Sequence, residues 1–170
     1  MIVLLLGSNV GDRAYYLTKA LEELQQRVGK LLVASSVYAT APWGIQEQPI
    51  FLNQVLVLEG APPPLKLLEI TQAIEKDLAI PKTVRWGERM LDIDILYLDE
   101  LIFQTEHLQI PHPQIAYRRF TLVPLCEILP NFLHPTLQKS HLELLTDCPD
   151  QLSVELIKPF EKNNLLSRMD

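Results

Sequence analysis

The chain has 170 residues, 48% of them hydrophobic and 21% charged, a composition that excludes a wholly disordered protein. Its formal net charge of −6 argues against a nucleic-acid partner or an anionic membrane surface, because both attract basic proteins. Two cysteines are too few for a disulfide framework, and no apolar run reaches the roughly 20 residues of a membrane span. We therefore expect one cytoplasmic domain over residues 1–170.

The first part of the chain predicts a strand, a helix and a second strand. Apolar residues at 2–6 predict a buried strand that ends in a glycine turn. Asp12 can cap the following helix, because its carboxylate can accept hydrogen bonds from the first turn. The apolar residues of that helix share one face: Leu17, Leu21, Leu24 and Val28. Residues 31–38, rich in valine and serine, predict the second strand.

The middle of the chain predicts a further strand, helix and strand. Residues 41–49 carry two prolines and a glycine and predict a loop, and residues 50–58 predict a strand. Prolines at 62–64 suit the first turn of a helix with an apolar stripe of Leu67, Ile70, Ile74 and Leu78. After a long loop over residues 79–90, two aspartates alternate with apolar residues in a strand over 91–97.

This order of elements predicts an α+β fold. A ferredoxin-like βαββαβ core has an antiparallel sheet with helices packed on its faces. The core and the motifs occupy residues 1–130, with a short helix predicted over 121–129 and Pro124 in its first turn. Residues 131–170 are predicted to form a packing segment without chemistry of its own.

Asp92 and Asp94 form the most informative pattern in the sequence. Residues two apart on a strand point to the same face, about 7 Å apart along it. Two carboxylates this close repel each other unless a cation lies between them, and hard oxygen ligands suit Mg²⁺. We expect this strand to be central in the sheet, where charges facing only water are rare. The pair therefore predicts a magnesium site, and a solvated strand face is the alternative.

Cations lie on both sides of this pair in the sequence. Cations beside a metal site recur in phosphoryl transfer, because they neutralise charge on phosphate oxygens. The residues in question are Lys82, Arg85 and Arg89 before the strand, and His112 and Arg118 after it. Trp86 can stack on a flat ring. The alternatives are a basic surface loop with Trp86 in the core and a structural histidine between two prolines. Gln72 and Glu75 can face a nucleotide or form the polar side of the second helix.

Five segments occur together in chain order: LGSN at 6–9, SSVYxTxPxG at 35–44, QPxFLN at 48–53, RWGxRxLDIDI at 85–95, and PHP at 111–113 followed by RxF at 118–120. In this combination the chain resembles the 6-hydroxymethyl-7,8-dihydropterin pyrophosphokinase family of folate biosynthesis. The resemblance implies transfer of the β,γ-pyrophosphoryl group of ATP to the pterin hydroxymethyl oxygen, with release of AMP. It also implies two Mg²⁺ ions, ATP as co-substrate, small-molecule substrates and no obligate protein partner.

The resemblance also assigns residues to roles. Asp92 and Asp94 hold the metal and belong, with Lys82, Arg85 and Arg89, to the catalytic set. The implied pterin-binding residues are Thr40, Pro42, Trp43, Gly44, Phe51, Asn53 and Phe120. The implied ATP-binding residues are Gln72, Glu75, Arg85, Trp86, Arg89, Ile95, His112 and Arg118.

One segment departs from the family pattern. The family usually carries two arginines on its catalytic loop, and the corresponding positions are Ile80 and Lys82. Lysine keeps the charge but loses the bidentate geometry of arginine, and Pro81 stiffens the backbone. Two other functions therefore stay open: a degenerate module that binds pterin or ATP with little or no transfer, and a different metal-dependent transferase with paired aspartates.

Overall fold

The computed structural model describes residues 1–45, 47–78 and 89–159. A short 3₁₀ turn, Ile115–Tyr117, precedes the third helix. The strands and helices are, in chain order, β1 (Ile2–Ser8), α1 (Arg13–Arg27), β2 (Leu31–Ala34), β3 (Val37–Thr40), β4 (Phe51–Leu58), α2 (Pro64–Leu78), β5 (Asp92–Leu98), β6 (Phe103–Gln104), β7 (Gln109–Ile110), α3 (Arg119–Ile128), α4 (His141–Asp147) and β8 (Val154–Lys158).

The main sheet is antiparallel and has the strand order β5-β1-β4-β3-β8. Strand β2 also pairs with β4, so β2 and β3 act as one interrupted strand along the same neighbour. Strands β6 and β7 form a separate small hairpin. The order confirms the predicted ferredoxin-like core, to which β8 adds an edge strand.

Helices cover both faces of this sheet. On one face, α1 and α2 bury Leu17, Leu24 and Ile74 against the even-numbered apolar residues of β1. On the other face, α3 and α4 pack against the odd-numbered residues Val3 and Leu5. Every residue of β1 is therefore buried, which explains why its sequence is continuously apolar rather than alternating.

Local signals in the sequence account for both long helices. The Asp12 carboxylate accepts a hydrogen bond from Tyr15 N–H at 3.0 Å and caps α1 as predicted. Pro64 is the first residue of α2, where a missing N–H costs no helical hydrogen bond. Gly29 lies just after α1, where a Cβ would overlap the carbonyl oxygen of Glu59. The chain just before β2 therefore passes so close to the chain just after β4 that the position requires a glycine.

The prediction of one strand over residues 31–38 is wrong, because the chain breaks at Ser35 and Ser36. The Ser35 hydroxyl accepts a hydrogen bond from Val55 N–H at 2.9 Å. The N–H and hydroxyl of Ser36 both donate to the Glu127 carboxylate of α3, at 2.8 and 2.7 Å. Serine side chains that bond to backbone compete with a regular ladder. The break therefore gives α3 a polar anchor on the sheet.

The predicted helix near residue 121 is confirmed, but its start is not. Helix α3 begins at Arg119, so Pro124 lies in its interior rather than in its first turn. A proline there lacks the N–H that would bond to the carbonyl of Phe120. None of the helices in the described ranges has the length and apolar character needed to cross a bilayer.

The chain beyond residue 130 contains regular structure that the sequence analysis left unassigned. Ser140 and Glu143 form a capping box at the start of α4, so the Ser-x-x-Glu pattern was an available signal. His141, at the start of α4, is fully buried, and its Nε2 lies 3.0 Å from the Tyr97 hydroxyl. Strand β8 pairs with β3 and extends the sheet.

Candidate active site

Asp92 and Asp94 point to the sheet face that α3 covers. They lie opposite Gly7 and Leu5 of β1 in the strand register. Their side chains are only 19% and 28% exposed. The expectation that their strand is central is wrong, since β5 is an edge strand. The carboxylates are shielded by arginine side chains rather than by further strands.

An arginine accompanies each aspartate. Arg89 Nη1 lies 2.5 Å from Asp92 Oδ2, and Arg118 Nη1 lies 3.5 Å from Asp94 Oδ2. Both arginine side chains are largely buried, and the Nε atom of each makes no hydrogen bond within the described part of the chain. Burial lowers the pKa of Arg118, and the nearby carboxylates of Asp94 and Asp92 oppose that shift. The site thus presents two carboxylates and two largely buried guanidinium groups, whose Nε atoms are unused donors among the described residues.

His112 completes the polar end of the site. Its Nδ1 accepts a hydrogen bond from Gln114 N–H at 3.2 Å, which leaves the ring proton on Nε2. That Nε2 lies 4.0 Å from Asp94 Oδ1. Burial and the positive charge of Arg118 lower the pKa of His112 to about 4. The ring is therefore neutral at pH 7 and offers a hydrogen bond rather than a charge.

A cavity joins this polar end to an aromatic one. The Arg118 guanidinium lies 4.8 Å from the centroid of the Trp43 ring and 5.6 Å from that of Phe120. The residues that line the cavity are Leu5, Gly7, Thr40, Ala41, Trp43, Phe51, Asn53, Arg89, Asp92, Asp94, Arg118 and Phe120. Most of the predicted pterin residues therefore share one cavity with both aspartates and two of the predicted cations.

Asn53 forms the polar floor at the aromatic end. Its side chain is 3% exposed, and its Nδ2 donates to the Thr40 hydroxyl at 2.7 Å. An amide has two donors and two acceptor lone pairs, so this contact leaves capacity for a ligand. A flat heterocycle between Phe51 and Phe120 can therefore meet a fixed amide at its edge.

Other predicted residues lie away from this cavity or outside the described ranges. Gln72 is exposed on α2, and Ile95 is packed in the core beneath α1 and α2. The Glu75 carboxylate accepts a hydrogen bond from Ile93 N–H at 2.8 Å, so it contacts β5 directly. Pro42 is buried, and Gly44 borders a neighbouring groove. Lys82, Arg85 and Trp86 lie outside the described residues, as does Ile80.

Two residues of the predicted glycine turn have roles that the sequence analysis missed. Gly7 lies within β1, and a Cβ there would be 2.9 Å from Asn53 Oδ1. Asn9 is 2% exposed; its Oδ1 accepts from Arg89 N–H at 2.7 Å, and its Nδ2 donates to the Pro49 carbonyl at 3.2 Å. Asn9 thus ties the loop before β4 to the segment that carries Arg89. A glycine inside an apolar strand was the available signal.

Paired carboxylates with arginines beside a slot for a flat ring define an enzyme site for a polyphosphate and a heterocycle. The sequence model of 7,8-dihydro-6-hydroxymethylpterin-pyrophosphokinase (HPPK) matches residues 3–130, and the chain belongs to this family.

Relatives of known name agree with this membership. The chain is 40% identical over 134 residues to the 2-amino-4-hydroxy-6-hydroxymethyldihydropteridine pyrophosphokinase of Aquifex aeolicus, covering 79% of this chain and 83% of the relative. It is 43% identical over 124 residues to the Bacillus subtilis protein of the same name, covering 72% and 74%. The fold is similar to that of Plasmodium falciparum HPPK-DHPS, with a TM-score of 0.67 and 18% identity over 86% of this chain and 43% of that longer one.

Proposed function

We propose that this chain transfers pyrophosphate from ATP to the hydroxymethyl group of 6-hydroxymethyl-7,8-dihydropterin, in folate biosynthesis. The observation that carries the proposal is the cavity that joins Asp92 and Asp94 to the aromatic slot. No comparison favours a degenerate binding module, and the pterin slot argues against a different transferase with paired aspartates.

The transfer is a single displacement. The hydroxymethyl oxygen of the pterin attacks the β-phosphorus of ATP, the bond from that phosphorus to the oxygen bridging to the α-phosphorus breaks, and AMP leaves. The hydroxyl proton passes to water. No strong protein base is required when positioning and charge neutralisation lower the barrier. Each group in the cavity therefore serves to hold one reactant in line with the other or to balance phosphate charge.

Asp92 and Asp94 fit a pair of Mg²⁺ ions. Within the described ranges no group of three or more His, Cys, Asp or Glu side chains is arranged to hold a metal ion, so those residues do not build a closed metal cage. Mg²⁺ commonly keeps several waters and binds through one or two carboxylates together with substrate phosphates. Asp92 and Asp94 would hold the ions, which when bound neutralise phosphate charge and orient the polyphosphate.

The remaining residues divide between the two substrates. Arg89 and Arg118 hold phosphate oxygens, and neutral His112 donates a hydrogen bond to them. On the pterin side, Asn53 meets the ring edge, and further contacts come from Thr40, Pro42, Trp43, Gly44, Phe51 and Phe120. The family resemblance adds Lys82, Arg85 and Trp86 beside the phosphates, and Gln72, Glu75 and Ile95 on the nucleotide side.

The proposal also includes a cellular compartment and a domain organisation. Cys126 and Cys148 are both free thiols, which fits a reducing cytoplasm. We regard residues 1–170 as a single domain that acts on small molecules without an obligate protein partner. Residues 1–130 carry the reaction. Of the C-terminal segment over residues 131–170, the described residues 131–159 support the reaction by packing.

The metal assignment predicts that turnover requires a divalent metal ion and that two ions bind to each chain. We expect EDTA to abolish turnover and added Mg²⁺ to restore it. Because α,β-methylene-ATP cannot break at the bond between its α- and β-phosphorus, it allows bound ions to be counted without turnover. With Mn²⁺ as the probe, electron paramagnetic resonance should find two ions per chain when this analogue and the pterin are present. Full activity in EDTA, or a count of one, would contradict the assignment.

A further inference from the structure

The segment of residues 148–153, here called the crossover segment, runs from α4 to β8 and contacts both walls of the pterin slot. At its start, Cys148 is buried in the core beneath α3 and α4. At its end, the Ser153 carbonyl accepts a hydrogen bond from Ala41 N–H at 3.1 Å, and Val154 then pairs with Thr40 in the sheet. The segment is therefore fixed to the wall that carries Thr40 and Ala41.

Asp150 fixes the same segment to the opposite wall. Its Oδ2 accepts a hydrogen bond from the N–H of Arg119 at 2.9 Å, and its Oδ1 accepts from Leu152 N–H at 3.0 Å. Arg119 is the first residue of α3, where backbone N–H groups have no partner inside the helix. A carboxylate at this position supplies a partner and a favourable charge for the helix dipole.

The helix takes this cap from a distant residue because its own N-cap residue cannot supply one. Arg118 occupies the N-cap position and makes no capping hydrogen bond with its side chain. A guanidinium has no acceptor, and that of Arg118 lies between Asp94 and the Trp43 ring. The capping acceptor therefore comes from Asp150, which is 31 residues further along the chain than Arg119.

We propose that Asp150 is a positioning residue for the pterin slot, an inference that rests on the proposed function. Phe120 is the residue after Arg119, whose N–H donates to Asp150. The cap therefore sets the distance between the Phe120 ring and the wall formed by Thr40 and Ala41. Pro149, Asp150 and Leu152 also line a groove with Trp43 and Gly44. Arg118 has a separate anchor in Asp94 on β5. Loss of the Asp150 cap therefore weakens pterin binding more than ATP binding.

Steady-state kinetics with each substrate varied in turn tests whether Asp150 affects pterin binding more than ATP binding. We expect Asp150→Ala to raise the KM for the pterin on the order of five- to tenfold, which is the typical free energy of a helix cap expressed as a ratio of equilibrium constants. The KM for ATP should change less than about twofold. Asp150→Asn should give a pterin KM clearly below that of Asp150→Ala, because its one amide oxygen can still accept from Arg119 N–H although it cannot also accept from Leu152 N–H.

Asp147→Ala is the matched control, because Asp147 ends α4, is 57% exposed and pairs only at the surface with Lys139. Equal rises in both KM values, no rise, or a pterin KM for Asp150→Asn as high as that for Asp150→Ala would overturn the inference. If Asp150→Ala does not fold, Arg119→Pro removes the N–H donor at a position that suits proline. It should raise the pterin KM in the same way, and an unchanged value would overturn the inference. Absence of pterin-dependent turnover in the unchanged protein would instead contradict the proposed function.

Discussion

Replacing Asp92 and Asp94 together with asparagine is expected to lower kcat by at least about 10³-fold, because the change removes both of the proposed anionic metal ligands. Asparagine has nearly the same shape as aspartate, so packing against Arg89 and Arg118 is kept. Each single replacement should cause most of the loss, since residues that act together on one substrate have effects that are far from additive. The rate of AMP formation at saturating ATP and pterin measures the effect, and retained turnover would contradict the metal assignment.

Asp99→Asn is the matched control for this experiment. Asp99 follows the far end of β5, is 60% exposed and has a positive φ of 48°, which asparagine tolerates. The replacement makes, outside the cavity, the same change in charge as each single replacement of Asp92 or Asp94. We expect kcat within about twofold of the unchanged protein, and a large loss here would assign the effect of the double variant to the strand rather than to its metal ligands.

Gly7→Ala is expected to lower kcat/KM for the pterin by roughly 10- to 100-fold, the scale that misplacement of a positioning group by about 1 Å produces. The new Cβ would lie 2.9 Å from Asn53 Oδ1, closer than such contacts allow. Asn53 is buried and bonded to Thr40, so its amide must shift away from the pterin edge. The KM for ATP should change less, because the new methyl would lie 4.0 Å from Asp92 Cβ, an ordinary contact distance that requires no shift there.

A double-mutant cycle with Asn53→Ala tests this mechanism. In the Asn53→Ala background the amide is absent, so the methyl of Gly7→Ala displaces nothing and should lower kcat/KM by no more than about twofold further. Multiplicative losses in the double variant would mean that the methyl acts on another part of the cavity. Thermal unfolding of all three variants reports whether the fold is kept.

Local signals predicted the fold well where one element depended on its own residues. The caps, proline positions and apolar stripes of α1 and α2 and the continuous apolar run of β1 all act within a few residues. The break between β2 and β3 could not be read in the same way, because Ser36 is held by Glu127, which is 91 residues away in the sequence. The position of β5 at a sheet edge likewise depends on which strands pair, and pairing is a long-range property.

The same difference between local signals and long-range contacts applies to the candidate site. The pattern of Asp92 and Asp94 was informative alone, since strand periodicity places both on one face whatever the topology. The pair of Arg89 and Asp92 is local, but the approach of Arg118 to Asp94 depends on how α3 packs across the sheet. Asp150 caps that helix from a segment without a motif. The need for a glycine at position 7 is explained only by the register of β1 with β4, which places Gly7 opposite Asn53. Contacts that set the shape of the slot were therefore the least predictable from sequence.

The nucleotide product formed with Mg²⁺, ATP and 6-hydroxymethyl-7,8-dihydropterin tests the central claim most directly. Separation of AMP from ADP by chromatography identifies which phosphorus is attacked. We predict AMP in amounts equal to the pterin diphosphate formed, and no AMP when the pterin is omitted. Pterin-dependent ADP would contradict transfer of a pyrophosphoryl group, and binding of both substrates without any product would instead identify a module that no longer catalyses transfer.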